Sequence, residues 1–518
     1  MAQLGVLAVA CLPLVLASPR LFGGLVSAQD EGQLLAYPSL MLRGYLPNTD
    51  FVHVYGVNQL LVLSSAFRLF GESLEVERAV GLAVRLIVVA VMVDVVRRVQ
   101  GLVLALTCGV VAAAAMAATG LPAYSWYVGL AVGVGALWLA TVGHRPTVAV
   151  FQVIAWALAA FAIGVRVDLA PAVLGGLGVV ALLVPADRRW SGRLWAARGI
   201  GLALGALPFV LHLLFARNVL RDTVLKPVLN SSGRRLPLWP ADVPLGVLAW
   251  TCVGAAVITV VVLLVRARCG RGLRYRTLAP FGCLSVFLLP QMLQRLDPLH
   301  VLYVAPVIIP VSLAAMAFAG STTTRGAWAR SAWWVMAATV MALAVIPIVR
   351  ELRVALGADD SGPALTTVTN DGRDLVVITS EAPGLEQLLA EVGRFDTPEC
   401  RGFVQGPSDL RFAPYSDTTL YWMLPSVSPA SRFLEFNPGD ANAEDSELST
   451  DLESANVAVL SSFWLSPYWP GWAQEESSRR PGPDLPNRVF AERFVEVGRF
   501  DSRVLYVSRA CLASVGGR

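Results

Sequence analysis

Eleven apolar segments, each of a length that can cross a bilayer as a helix, occupy the first two thirds of this chain and leave it few possible folds. They run over 4–26, 78–97, 102–119, 123–142, 147–165, 169–185, 198–216, 244–265, 277–293, 299–319 and 328–349. Hydrocarbon offers no partner to a backbone N–H or C=O, so a chain built this way must be a bundle of helices. With 55% hydrophobic and only 15% charged residues, an ordinary soluble protein is excluded. From residue 351 onward the composition becomes globular. The sequence therefore predicts a membrane domain over 1–350 and a soluble domain over 351–518, large enough to bury a core.

A twelfth apolar stretch, 54–70, decides the topology. It carries Asn58, Gln59, Ser64, Ser65 and Arg68, which is much polarity for a span. Short cytoplasmic loops collect Arg and Lys. The most basic loops here are Arg97-Arg98, the run from Arg188 to Arg198, and the run from Arg266 to Arg276. All three fall inside, with Arg145, Arg325 and Arg330, if 54–70 lies along the outer membrane face as an interfacial helix. The expectation is a multi-pass plasma-membrane protein with a cytoplasmic N-terminus and an extracytoplasmic C-terminal domain. The apolar start at Leu4–Ala17 lacks a basic leader and reads as an uncleaved first span.

In the C-terminal part, strands are expected at 375–379, 402–405, 432–436, 457–460 and 504–508. Helices are expected at 384–392, 417–423, 446–453 and 487–497, an alternation that makes a small α/β domain. Of the seven cysteines, only Cys400 and Cys511 lie in this domain, where an oxidising compartment would permit a disulfide. Cysteine spacing suits no metal site.

With this topology the polar constellations gather on one face. Asp30-Glu31 follows the first span, and a partly desolvated carboxylate there can take a proton from an attacking hydroxyl. Arg166 and Asp168 end the fifth span. Arg295, Asp297 and His300 form a tight group around Pro298 between the ninth and tenth. Arg suits bidentate phosphate recognition, and His can protonate or stabilise a phosphate oxygen. Arg217, Arg221, Lys226, Arg234 and Arg235 make the outer loop 217–243 basic against the usual bias, as an anionic lipid-linked ligand would explain. Each group also has a plain reading as a solvated loop, a snorkelling residue or an ion pair. A net charge of +4 implies no nucleic acid, and no glycine-rich phosphate loop supports an ATP-driven process.

Several segments in order resemble a known family. Asp30-Glu31, then Met41-Leu42-Arg43-Gly44-Tyr45-Leu46-Pro47, Phe67-Arg68-Leu69-Phe70-Gly71 and Glu77-Arg78 look like GT-C glycosyltransferases over residues 1–350. Gln291 to His300 is similar to an Arg-x-Asp-x-x-His segment of bacterial members. Protein mannosyltransferases and aminoarabinose lipid A transferases are the relatives most like it. Where those enzymes carry Pro-Pro-Leu, this chain has His53-Val54-Tyr55-Gly56-Val57-Asn58, which suggests a distinct, actinobacterial-type branch with His53 and Tyr55 in supporting roles.

The resemblance implies a GT-C membrane domain and transfer of a hexosyl or pentosyl group from a polyprenyl-phosphate donor to a glycan, lipid or protein acceptor of the cell envelope. It implies an inverting displacement in which Asp30 or Glu31 takes the acceptor proton. Arg166, Arg295 and His300 would bind the donor phosphate, with Asp168, Asp297 and Arg234 beside them. No cofactor is firmly implied; a divalent cation is an open alternative, although the first loop is short. Two rival readings are a lipid-linked saccharide flippase and an inactive GT-C-like assembly subunit. Transporters place polar groups at the midplane in repeated, broken helices, and this sequence has no repeat.

Overall fold

The computed structural model describes residues 2–141, 147–184, 191–229, 236–240, 242–269, 272–322, 326–357, 363–414, 416–463 and 479–516. The protein is a multi-pass membrane protein. Seven described helices are long and apolar enough to cross a membrane, and four shorter apolar helices accompany them. All eleven expected spans have a counterpart: α1 (Ala2–Phe22), α4 (Leu74–Gln100), α5 (Leu102–Ala117), α6 (Ser125–Thr141), α7 (Ala149–Val165), α8 (Ala170–Leu183), α9 (Gly192–Phe215), α10 (Val243–Cys269), α11 (Leu273–Gln294), α12 (Pro298–Thr322) and α13 (Gly326–Ala355). Two further helices, α2 (Asp30–Leu42) and α3 (Asn58–Phe70), lie between α1 and α4.

Small residues set the closest helix contact. Gly201 and Gly205, one turn apart on α9, sit directly on the Val153 and Ala157 carbonyls of α7, where a Cβ would collide with backbone. Without a hydrophobic force between helices in lipid, such close backbone approach supplies the packing. The apolar window of α12 is wholly buried, so this helix forms the axis around which the others pack. Its first turn, which is only partly buried, opens at the end of the bundle.

The C-terminal part contains a β1–β2 hairpin (Leu365–Asn370 and Arg373–Ile378) and a four-stranded sheet. Strand order is β3-β4-β6-β5, from Phe403–Pro407, Val457–Ser461, Arg503–Ser508 and Phe494–Phe500. The first pair is parallel and the other two are antiparallel. Cys400 and Cys511 form a disulfide with Cα atoms 5.1 Å apart.

Two expectations are corrected here. Residues 432–436 form no strand, although Phe433, Leu434 and Phe436 are buried. Their carbonyls are taken elsewhere: Arg432 O by Val52 N at 2.8 Å, and Leu434 O by the Gln405 amide. The helix expected over 487–497 runs only over Leu485–Arg493, and 494–497 begin β5, whose pairing with β6 overrides the local pattern.

The C-terminal part buries one cluster of its own, in which Val404, Phe433, Phe436, Leu452, Leu460 and Phe490 are joined by Val52 from the loop before α3, and it shares a second cluster with the segment after the first span. Leu35, Tyr37 and Leu40 of α2, with Phe51, Leu60 and Phe67, share one buried cluster with Val376, Leu385, Trp422 and Leu505. Gly32 lies against Thr418 and Thr419 with no room for a Cβ. The segment after the first span is thus clamped between the bundle and the C-terminal domain.

Candidate active site

Asp30 and Glu31 open α2, where carboxylates meet the positive end of the helix dipole. Successive helix positions point about 100° apart, so the two acids take different surroundings. Glu31 turns inward and forms a two-pronged ion pair with Arg78, Nε to Oε1 at 2.7 Å and NH2 to Oε2 at 2.9 Å. Arg78 also donates to the carbonyls of Leu21, Phe22 and Gly24, fixing the end of α1. Glu31 is absent from the cavity wall. Asp30 borders it. Burial pushes the Asp30 carboxyl above its usual range, while the nearby Arg295 and His300 charges pull it back down.

The cavity has a volume of about 1360 Å³. Asp30, Arg166, Asp168, Arg295, Asp297, His300, His53 and Tyr55 all line it. Residues some 270 positions apart thus meet in one space. Arg234 lies outside the described residues.

Each cation is held by a carboxylate. Arg166 caps α7 and grips Asp168 through Nε (3.0 Å) and NH2 (2.6 Å). Its guanidinium lies 4.8 Å from the Tyr55 ring centre and 5.2 Å from that of Trp126. Burial opposes its charge, but Asp168 and Tyr55 outweigh that and hold Arg166 firmly protonated. The Gln291 amide, turned so that nitrogen meets Asp168 Oδ2 (2.9 Å) and oxygen meets Arg166 (3.2 Å), closes the group.

The second cluster is built on the start of α12. Pro298 suits the first helical turn, and Asp297 caps it by accepting from His300 N at 2.9 Å. Asp297 also meets His300 Nδ1 at 2.8 Å and Arg295 Nε at 2.8 Å. One carboxylate thus orients both Arg295 and His300. Burial raises the Asp297 carboxyl, but His300 and Arg295 outweigh it and hold it below the ordinary range. With Nδ1 engaged, Nε2 is the His300 nitrogen that a ligand can meet.

His53 and Tyr55 stand in a loop anchored by the Gly56 N–H to Val165 O at 3.0 Å. Gly56 rests on the Gly164 carbonyl, a contact only glycine permits. Among the described residues no three His, Cys, Asp or Glu side chains converge as a metal site would need. Apolar side chains, among them Val224, Pro227, Leu236 and Leu238, also line the cavity.

No family model matches the sequence, and no curated protein resembles it by sequence. Solved structures do. ArnT from Cupriavidus metallidurans bound to undecaprenyl phosphate aligns with 99% of this chain and 99% of its own, at TM-score 0.57 and 14% identity. Its apo state gives a TM-score of 0.54 at 16% identity over the same coverage. The chain has the GT-C fold.

In this GT-C fold the cavity also draws on residues that the sequence reading missed. Tyr37, Tyr124 and Tyr303 line it, as do Glu435 and Asn437 of the C-terminal domain. Gln29, beside Asp30, donates to Glu435 Oε1 at 3.1 Å. Only adjacency to Asp30 could have flagged Gln29. Nothing local to 432–437 marks it as belonging to a GT-C cavity.

Proposed function

We propose that this protein is a membrane glycosyltransferase that moves a hexosyl or pentosyl group from a polyprenyl-phosphate donor to a cell-envelope acceptor. The observation that carries the reading is the single cavity shared by Asp30, Arg166, Arg295 and His300. A general base and three phosphate-binding groups are what such a transfer requires.

The reaction is one displacement at the sugar's anomeric carbon. The acceptor oxygen forms a bond to that carbon as the bond to the phosphate oxygen breaks, inverting the centre. The acceptor proton passes to Asp30, and polyprenyl phosphate departs with the bonding pair. Charge growing on the leaving oxygen meets Arg166, Arg295 and His300, which their carboxylate partners hold in place before reaction. Preorganised groups of this kind typically lower a barrier by about 3–4 kcal/mol each. Glu31 serves the fold through Arg78 and leaves Asp30 as the base. The apolar wall suits an isoprenoid chain, and ArnT bound to undecaprenyl phosphate, with the same fold, gives the lipid part independent support.

The cavity and the C-terminal domain belong on the extracytoplasmic side, with the N-terminus inside. The Cys400–Cys511 disulfide supports this, because such bonds persist in oxidising compartments.

The test is turnover of a radiolabelled polyprenyl-phosphate sugar by the purified protein. Release of polyprenyl phosphate with transfer of label, lost in Asp30→Asn at unchanged expression, supports the assignment. Full activity in Asp30→Asn refutes the base, and lipid translocation without sugar transfer makes the protein a flippase instead.

A further inference from the structure

The cavity wall carries two kinds of side-chain chemistry. Arg166, Arg295 and His300 supply guanidinium and imidazole groups suited to phosphate. Tyr37, His53 and Glu435 also line it, supplied by α2, the loop after it and the C-terminal domain. Tyr37 is 1% exposed and His53 3% exposed, yet neither the Tyr37 hydroxyl nor either His53 ring nitrogen has a hydrogen-bond partner. The Gly56 backbone lies near the His53 ring, but outside hydrogen-bond geometry. The two rings meet edge to face with centres 5.8 Å apart, and Tyr55 continues the row 5.9 Å from His53.

Buried polar atoms are ordinarily satisfied, because each one left without a partner costs roughly 1–3 kcal/mol. Three such atoms, all on residues that line one cavity, point to a ligand that satisfies them once it is seated there. Their chemistry defines the ligand. Burial lowers His53 to about 3, so the imidazole is neutral at working pH and can both donate and accept. Burial and Glu435 push the Tyr37 phenol up, so it stays a neutral donor. Glu435 accepts from Gln29 at 3.1 Å and from Asn437 at 3.0 Å, which presents a carboxylate amid amides. Two neutral side chains and a hydrogen-bonded carboxylate beside aromatic rings suit hydroxyl groups on a ring, not phosphate.

We propose that Tyr37, His53 and Glu435 form a saccharide subsite, beside the phosphate-binding groups of the same cavity, that binds the hydroxyls of an uncharged sugar. This rests on the transferase reading. The sugar is either the one carried by the donor or the one offered by the acceptor.

Equilibrium binding to the full-length protein in nanodiscs separates these cases. The variants are Tyr37→Phe, His53→Phe and Glu435→Gln. The probes are undecaprenyl phosphate, the same lipid bearing mannose or arabinose, and octyl glycosides of those sugars added to protein already filled with undecaprenyl phosphate. A donor-sugar subsite predicts at least tenfold weaker binding of the glycosylated lipid in the variants, with the bare lipid within twofold of wild type. An acceptor subsite predicts unchanged binding of both lipids and at least tenfold weaker octyl glycoside binding. Tyr37→Phe removes a hydroxyl that bonds to nothing, so its unfolding temperature should equal or exceed that of the wild type. A fall would mean that the hydroxyl supports the fold. The subsite is overturned if no sugar-bearing probe binds wild type more tightly than its bare counterpart, if the variants bind every probe within twofold, or if the bare lipid weakens as much as the sugar-bearing one. Failure of wild type to bind undecaprenyl phosphate overturns the transferase reading instead.

Discussion

Glu31 and Arg78 meet through two hydrogen bonds of 2.7 and 2.9 Å, with both side chains at most 2% exposed, while Asp30, one residue earlier, borders the cavity. A step of one residue along a helix thus divides two like acids between fold and chemistry. Breaking a buried pair by removing one partner typically costs about 3–5 kcal/mol, because the other charge is left uncompensated. Glu31→Gln should therefore lower the unfolding temperature strongly, and Asp30→Asn should abolish transfer at near-wild-type stability. Scanning fluorimetry beside an activity assay checks this, and the opposite pattern would exchange the roles of the two acids.

The Asp30 carboxyl titrates above the ordinary range because it is buried. A base must be ionised, so transfer should rise with pH through that elevated value and fall away below it, as a pH profile of kcat/KM would record. The stability contribution runs the other way. It is fully present below the unfolded carboxylate value and is lost as pH rises through the folded one. An acid limb that persists in Asp30→Asn would belong to another group.

Asp297 holds both Arg295 and His300 and caps α12. Asp297→Asn should misorient Arg295 and His300 and lower kcat by about 10–100-fold, a loss typical of a removed orienting partner. Arg295→Lys keeps the charge but loses the planar fork, so the donor KM should rise while lipid binding remains salt-sensitive. Steady-state kinetics over a donor concentration series separates these effects.

The Cys400–Cys511 link closes a long loop, with a sequence separation of 111. Losing a native disulfide from a small secreted domain costs about 2–5 kcal/mol. Cys400→Ser should therefore loosen the C-terminal domain, measured as faster protease cleavage after residue 363 and a lower unfolding temperature. If reductant changes neither quantity in wild type, the bond contributes nothing to stability.

Arg432 of the C-terminal domain donates to Asp222 at 2.7 Å, and Asn48 bridges Asp222 (3.1 Å) and His212 (3.0 Å). This buried chain pins the domain to the bundle next to the cavity. Arg432→Ala should leave Asp222 buried without its cation and reduce activity and stability together. Hydrogen exchange would register the loss as faster exchange around residues 48–53 and 219–225.

Span positions and the gathering of Asp30, Arg166, Arg295 and His300 were legible in the sequence, because hydropathy and loop charge act locally and the bilayer forces helices to form. Strand pairing at 494–497 and the loop at 432–436 were not, since partners far along the chain override local pattern. Adjacency likewise gave Asp30 and Glu31 equal standing. Only the packing of α2 between the bundle and the C-terminal domain turned one to Arg78 and the other to the cavity, and brought Glu435 beside Gln29. Charge and apolarity are properties of a residue, whereas the direction a side chain takes is a property of everything packed around it.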